Sequence, residues 1–199
     1  MGFGHNLKQE VLSYANAQVG VTEATGANDG TPYYCYMKPW GYGRVPWCAL
    51  FVKTCLAAAD VNTAGINAQA VSAVSQYQTR SAAPAVVWWK PRVGGTGHVG
   101  LIESWPTLGQ YFWSIEGNTG NAVKRLKRKK SLVQKMSNWV GEDLPSSKPL
   151  EKALPKKPPD QAAPAPRAPS APGRDINRPL RWLAIGLMFI FLVKKNGNT

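Results

Sequence analysis

Apolar residues recur along the N-terminal part of the chain with helical spacing. Positions 7, 11, 12, 15 and 19 are apolar and Gly20 follows them, which predicts a helix over 7–19. The same spacing predicts a second helix over 46–59 and a third over 67–77.

The pattern then changes to short runs of strand-forming residues. Four such runs cover 85–89, 98–104, 111–117 and about 121–128, and a fifth short one lies near 138–141. Helices first and an antiparallel sheet afterwards predict an α+β domain, with N-terminal helices packed on the sheet.

Composition divides the chain into segments. Residues 145–179 contain ten prolines among Lys, Ala and Ser, so this stretch cannot build a core and should be extended. After it, residues 180–193 are apolar apart from Arg181. The predicted organisation is a globular domain at 1–144, a proline-rich linker at 145–179, a transmembrane anchor at 180–195 and a tail at 196–199.

The charge balance restricts the partners. The chain has 24 basic and 11 acidic side chains, for a formal net charge of +13, which favours nucleic acid, anionic lipid or an anionic cell wall. Residues 124–130 form a basic run with no acidic residue. No helix-turn-helix, zinc or RNP pattern accompanies it, so we interpret it as a solvated strand edge and expect no specific nucleic-acid partner.

Three cysteines are too few for a disulfide scaffold. Cys55 is expected to be a buried apolar residue. A Cys35–Cys55 bridge is an open alternative.

The sequence Asn28-Asp29-Gly30 predicts a turn rather than a calcium loop, because it has one carboxylate and lacks EF-hand spacing. We therefore expect neither a metal nor a cofactor.

Cys48 stands at the start of the second predicted helix, within Val45-Pro46-Trp47-Cys48-Ala49-Leu50-Phe51-Val52. Pro46 suits the first turn of a helix, where its missing N–H costs nothing. Unpaired N–H groups and the helix dipole in that turn stabilise a thiolate. The position therefore favours Cys48 as a nucleophile over an ordinary buried thiol.

His98 begins the second predicted strand, within Gly97-His98-Val99-Gly100. The chain has two histidines, and His5 lies close to the N-terminus, so an imidazole base would have to be His98. In the following strand, Glu116 and Asn118 point the same way, and either could orient the imidazole. We favour Glu116, which should face His98 across a hairpin, with Asn118 as a second polar contact to the imidazole or the substrate.

The ordered set of Cys48, Gly-His-Val-Gly and Glu-Gly-Asn resembles the CHAP domain, a cysteine- and histidine-dependent amidohydrolase/peptidase. The N-terminal stretch with Val21-Thr22-Glu23, Gly26, Asn28-Asp29-Gly30 and Tyr36 is also similar to CHAP sequences of phage and bacterial origin. The resemblance covers roughly residues 6–142. It implies an NlpC/P60-type, papain-like fold and a cysteine peptidoglycan hydrolase, amidase or endopeptidase, with bacterial peptidoglycan as its partner.

The apolar segment near the C-terminus suits a membrane. As a helix, its 14 residues would span roughly 21 Å, which is short against a hydrocarbon core of about 30 Å. Arg181, Lys194 and Lys195 can snorkel, and Trp182 suits the interface. We predict a single-pass anchor in a lipid membrane, with its orientation open. Residues 1–10 lack the apolar stretch of a secretory signal.

A phage that contains a membrane would explain an anchored wall enzyme without an export signal. The anchor would hold the enzyme in the viral membrane, and infection would bring it to the wall. The expected protein is a virion-associated lytic enzyme in the internal membrane of the virion and the host inner membrane, with other virion proteins as further partners. It would act on the wall at infection or at lysis. The alternative is a non-catalytic structural membrane protein of the virion, whose CHAP-like fold binds wall or bridges capsid and membrane.

Overall fold

The computed structural model describes residues 6–141. The predicted linker, anchor and tail lie outside the described residues, as does His5. Within 6–141, no helix has both the length and the apolar character needed to cross a membrane.

The domain begins with helix α1, Leu7–Ala17, whose buried face carries Val11, Leu12 and Ala15. Asn6 caps it, because its side chain accepts a hydrogen bond from the N–H of Gln9 at 3.2 Å. The helix ends two residues before the predicted end, and Gly20 adopts a left-handed φ of 95° beyond it.

A helical segment that the apolar pattern did not predict follows. It consists of helix α2, Gly30–Pro32, a π turn at Tyr33–Met37 and a 3₁₀ turn at Lys38–Trp40, and it ends at Gly41 with φ 79°. Its glycine, prolines and tyrosines are poor helix formers, so packing stabilises it. Tyr36 is fully buried and stacks on Trp47 at 5.3 Å between ring centroids.

Helix α3, Cys48–Ala57, corresponds to the predicted cysteine helix. Trp47 is its N-cap residue, so Pro46 precedes the helix and does not lie in its first turn as expected. Cys48 is the first helical residue. Nearly every side chain of α3 is buried, which identifies it as the central helix of the domain.

The third predicted helix, over 67–77, is wrong, because only a 3₁₀ turn at Ala70–Val74 forms there. Ser72 is turned back on the chain, and its hydroxyl donates to the carbonyl of Gln69 at 2.7 Å. Tyr77 then adopts a left-handed φ of 50°, which is incompatible with a continuing helix.

Five antiparallel strands form one sheet in the order β4-β3-β2-β1-β5. The strands are β1 Val87–Arg92, β2 Gly95–Ser104, β3 Tyr111–Glu116, β4 Lys124–Lys129 and β5 Lys135–Ser137. The strand predicted near 138–141 is displaced, because Trp139 is buried and donates to the carbonyl of Ala73 at 2.8 Å. The α+β architecture is confirmed.

The two faces of the sheet are covered differently. Val87, Val99, Leu101 and Ile115 belong to the same buried cluster as the core residues of α1 and α3. The opposite face carries a smaller cluster of Val86, Trp88, Ile102 and Phe112. Strand alternation places Ser114 and Glu116 on the face of Phe112.

Helix α3 approaches the sheet at the end of β3. A Cβ atom at Gly117 would lie 2.5 Å from Phe51 Cβ and 2.8 Å from Trp47 Cζ3, so only glycine fits there. This close approach brings the N-terminus of α3, with Cys48, to the end of the sheet where β3 finishes. The cysteines at 35, 48 and 55 are all free, so the alternative Cys35–Cys55 bridge does not form.

Candidate active site

Cys48, His98 and Glu116 meet at one end of the sheet, although 68 residues separate the first from the last. His98 Nε2 lies 2.8 Å from Glu116 Oε2. The thiol of Cys48 is hydrogen-bonded to the imidazole of His98. Because Nε2 faces the carboxylate, Nδ1 is the ring nitrogen left for the thiol. The arrangement joins a thiol, a base and a residue that orients the base.

Glu116 has no exposed surface and is surrounded by donors. Its Oε1 accepts from Arg128 Nε at 2.7 Å and from the Ser114 hydroxyl. Its Oε2 accepts from Arg128 Nη2 at 2.5 Å and from the Thr119 hydroxyl at 3.1 Å, besides facing His98. Burial alone would raise the pKa of this carboxyl, but the bonds from Arg128 and His98 outweigh burial and lower it to about 2. Glu116 is therefore ionised.

His98 is held in its charged form by the same set of contacts. Burial alone would lower its pKa, but the hydrogen bonds to Cys48 and Glu116 outweigh burial and raise it to about 9. The Trp88 ring meets the imidazole edge-on, with the centroids 6.0 Å apart. The imidazole is thus an imidazolium at neutral pH, placed between a carboxylate and the Cys48 sulfur.

The start of α3 adds hydrogen-bond donors beside the thiol. The first intrahelical bond runs from the N–H of Phe51 to the carbonyl of Trp47 at 2.8 Å. The N–H groups of Cys48, Ala49 and Leu50 come before that bond, so they have no acceptor within the helix. Such groups stabilise negative charge on a thiolate or on an oxyanion next to it.

The part of the chain that holds this site is similar to a known protein family. Residues 38–118 match the model of the CHAP domain family. Over these residues the chain is similar to CHAP domains. CHAP domains are generally cysteine or amidase-type peptidoglycan hydrolases, so the domain implies peptidoglycan as its substrate. The match includes Cys48, His98 and Glu116. A search of curated proteins found no match to the chain.

Asn118, the fourth predicted site residue, lies two residues beyond β3 in a left-handed conformation with φ 57°. Among the described residues, it makes no hydrogen bond to His98. Its neighbour Thr119 takes that position, with its hydroxyl 3.3 Å from His98 Nε2. A contact between Asn118 and substrate stays a prediction.

Sequence reasoning missed three polar partners of the site, Ser114, Thr119 and Arg128. Thr119 follows the residues that were considered and carries no pattern of its own. Arg128 was assigned to a solvated strand edge with its basic neighbours. Glu116 was the residue that could have pointed to Arg128. A carboxylate inside a protein needs a cation, and an adjacent basic strand can supply one.

The loop before α2 supports the start of helix α3. Glu23 Oε1 accepts from the indole N–H of Trp47 at 2.8 Å, and its Oε2 accepts from the N–H of Asn28 at 2.8 Å. Since Trp47 is the N-cap residue of α3, this bond fixes the residue next to Cys48.

The predicted turn at 28–30 is displaced, because the chain bends over 24–28 and Asp29 is already the N-cap residue of α2. Asp29 Oδ1 accepts from the N–H groups of Ala24 and Thr25, each at 3.0 Å, and its Oδ2 accepts from the Thr25 hydroxyl at 2.6 Å. The hydrogen bond with the Thr25 hydroxyl is the main reason why the pKa of Asp29 is lowered. Both acidic side chains of the loop are thus engaged by donors. No group of three or more metal-ligating side chains occurs within residues 6–141.

The three thiols are expected to differ in reactivity. Iodoacetamide should label Cys48 fastest near neutral pH, because its sulfur lies beside the His98 imidazolium and the N-terminus of α3, whereas burial raises the pKa of Cys35 and Cys55. Mass spectrometry of the digested full-length chain after timed labelling measures the order. Labelling in urea is the control and should equalise the three rates. Faster labelling of Cys35 in the folded protein would contradict an activated Cys48.

Proposed function

We propose that this chain is a membrane-anchored peptidoglycan hydrolase, an amidase or endopeptidase that cuts the bacterial wall by cysteine nucleophilic catalysis. The observation that carries the proposal is the contact of Cys48 with a His98 ring that Glu116 holds at 2.8 Å. The CHAP match supports it by implying the class of substrate. The packing of α3 on an antiparallel sheet agrees with a papain-like, NlpC/P60-type arrangement.

The chemistry follows from the charges of the three groups. The Cys48 sulfur, having given its proton to His98, attacks the carbonyl carbon of an amide and forms a tetrahedral intermediate. The C–N bond then breaks, the leaving amine takes the proton from His98, and an acyl-enzyme thioester remains. His98 next removes a proton from water, the resulting hydroxide attacks the thioester, and the carboxylic acid product departs from sulfur.

The surrounding groups serve these steps without reacting. Glu116 keeps the imidazole oriented and stabilises its charged form. The unpaired N–H groups at the start of α3, including that of Cys48, are suited to bind the oxyanion of each tetrahedral intermediate. An amidase and an endopeptidase both cleave a C–N bond next to a carbonyl, so the same three residues serve either bond.

The role of Cys48 is tested on purified sacculi. Cys48→Ser in the full-length chain should lower the release of soluble muropeptides by at least about a thousandfold, since a serine hydroxyl is a far poorer nucleophile beside an imidazole tuned to a thiol. Circular dichroism should show an unchanged fold. The matched control is Cys35→Ser, which should retain most of the activity. A Cys48→Ser protein that still clears sacculi would rule out the cysteine mechanism.

A folded wild-type protein that releases nothing under reducing conditions would instead favour the non-catalytic structural role in wall binding or capsid–membrane bridging.

The anchoring part of the proposal rests on the sequence of residues 180–195. Burial of about ten apolar side chains at roughly 1.5–3 kcal/mol each exceeds the attraction of basic residues to anionic lipid, which is about 1 kcal/mol each and screened by salt. We propose that the anchor places the enzyme in the internal membrane of a phage virion and in the host inner membrane, where other virion proteins are its partners.

Full-length protein should therefore sediment with membranes and stay there in 1 M salt, a concentration at which the Debye length is only about 3 Å. Flotation of membranes on a density gradient, followed by immunoblotting, measures this. A chain ending at residue 144 is the control and should not float. Release of the full-length protein by salt would show that the basic surface, and not the apolar segment, holds it to the membrane. Absence from purified virions would contradict the virion role.

A further inference from the structure

The basic run at 124–130 contains one arginine that is directed into the site. Lys124, Lys127 and Lys129 are exposed, and Arg125 pairs with Glu103 at the surface. Arg128 differs, because it points to the face of the sheet that holds Glu116 and has only 22% of its side chain exposed. The run therefore combines a solvated strand edge with a single guanidinium directed into the site.

Arg128 meets Glu116 in a two-point contact. Its Nε lies 2.7 Å from Oε1, and its Nη2 lies 2.5 Å from Oε2. A planar guanidinium bonded to both oxygens fixes the rotation of the carboxylate plane as well as its position. In that rotation, Oε2 faces His98 Nε2.

We propose that Arg128 is a positioning residue: it holds Glu116 ionised and rotated toward His98, and thereby sets the acid limit of the pH range in which the Cys48–His98 pair works. The proposal rests on the proposed function only for its hydrolysis readout. Arg128 acts through Glu116 and needs no contact with substrate.

The other groups around Glu116 cannot replace Arg128. Ser114 on β3 and Thr119 in the following loop are neutral hydroxyl donors. Trp88 on β1 packs at the His98 ring and is neutral. Lys124 is opposite Glu116 in the β3–β4 register but is exposed. In the described part of the chain, the charged groups in contact with Glu116 are thus Arg128 and His98, with the Cys48 sulfur beyond the imidazole.

The direction of the pH effect follows. The bonds from Arg128 and His98 lower the pKa of Glu116 from 4.5 to about 2, so the carboxylate stays charged down to strongly acidic pH. Without the guanidinium, the largest contribution that opposes burial is lost, so the pKa of this carboxyl rises. Once Glu116 is protonated, it no longer stabilises the imidazolium, and the Cys48 sulfur loses the cation beside it. Loss of Arg128 should therefore move the acid limit of Cys48 reactivity upward.

The test compares Arg128→Gln, Arg128→Lys and the control Lys127→Gln in the full-length chain. Lys127 precedes Arg128 and carries the same charge, but it is exposed and lies over the Tyr111 ring. The rate of Cys48 alkylation by iodoacetamide is measured from pH 4 to 9, and hydrolysis of sacculi is measured over the same range.

We expect Arg128→Gln to raise the midpoint of the alkylation profile by at least about one pH unit. Hydrolysis at pH 6 should fall by roughly 10–100-fold, the size of effect that follows the loss of residues which orient the ligands of metal sites. Arg128→Lys should keep the charge but lose the two-point contact. Its alkylation midpoint and its hydrolysis rate should therefore lie between those of the wild type and those of Arg128→Gln. Lys127→Gln should leave both profiles unchanged. In a Glu116→Gln background, Arg128→Gln should cause no further shift of the alkylation profile.

An unshifted alkylation profile in folded Arg128→Gln would overturn the proposal. If that variant does not fold, Arg128→Lys decides, and a profile identical to that of the wild type would overturn the proposal equally. An equal shift in Lys127→Gln would show a general effect of surface charge and would also overturn it. A shifted alkylation profile together with no hydrolysis by the wild type would support the role of Arg128 while refuting the peptidoglycan activity.

Discussion

The site depends on a negative charge kept out of water. Glu116 has no exposed surface, yet it is ionised, because every polar group that touches its carboxylate donates a hydrogen bond. Removing one partner of such a buried charge typically costs about 3–5 kcal/mol. The hydrogen bonds with Cys48 and Glu116 outweigh burial and raise the pKa of His98, so the imidazole beside the Cys48 sulfur is a cation. Arg128, Glu116, His98 and Cys48 thus form one continuous series of contacts.

The backbone is shaped around that carboxylate. A Cβ atom at Gly100 would lie 2.7 Å from Glu116 Cγ and 2.9 Å from Trp88 Nε1, so a side chain there would displace the acid. Gly117 allows α3 to approach directly behind it. These two glycines bring a helix N-terminus and a buried carboxylate to the same imidazole. The hydrogen bond of Trp47 to Glu23 then holds the start of that helix.

Features that depend on local sequence could be predicted. The presence of α3 is marked by the proline and the apolar run near its start, although the helix begins at Cys48 and not at Pro46 as predicted. The strand with His98 is marked by its alternation and flanking residues. The α+β order followed from the succession of these patterns. The local pattern predicted a helix wrongly around Ser72, where a side chain competes for backbone hydrogen bonds. It did not predict the helical turns around Tyr36, which aromatic packing stabilises.

The environment of Glu116 could not be predicted in the same way. Arg128 reaches it only because β3 and β4 pair in one register, and a shift by one residue would turn the guanidinium to the other face of the sheet. Sequence placed Arg128 in a uniform basic run, in which nothing local distinguishes it from Lys127 or Lys129. Thr119 reaches His98 through the shape of a turn. Contacts set by pairing and loop geometry have no local signature.

Direct titration of His98 tests the central claim. The chain has two histidines, so NMR of ¹⁵N-histidine-labelled full-length protein gives two ring signals, and a His5→Gln variant assigns them. The account predicts that His98 titrates with a pKa of about 9, against an ordinary 6.5. In Cys48→Ala and in Glu116→Gln the pKa of His98 should fall, because each substitution removes one of the two hydrogen bonds that oppose the effect of burial. A wild-type His98 that titrates at or below 6.5, or one unaffected by either substitution, would contradict the account.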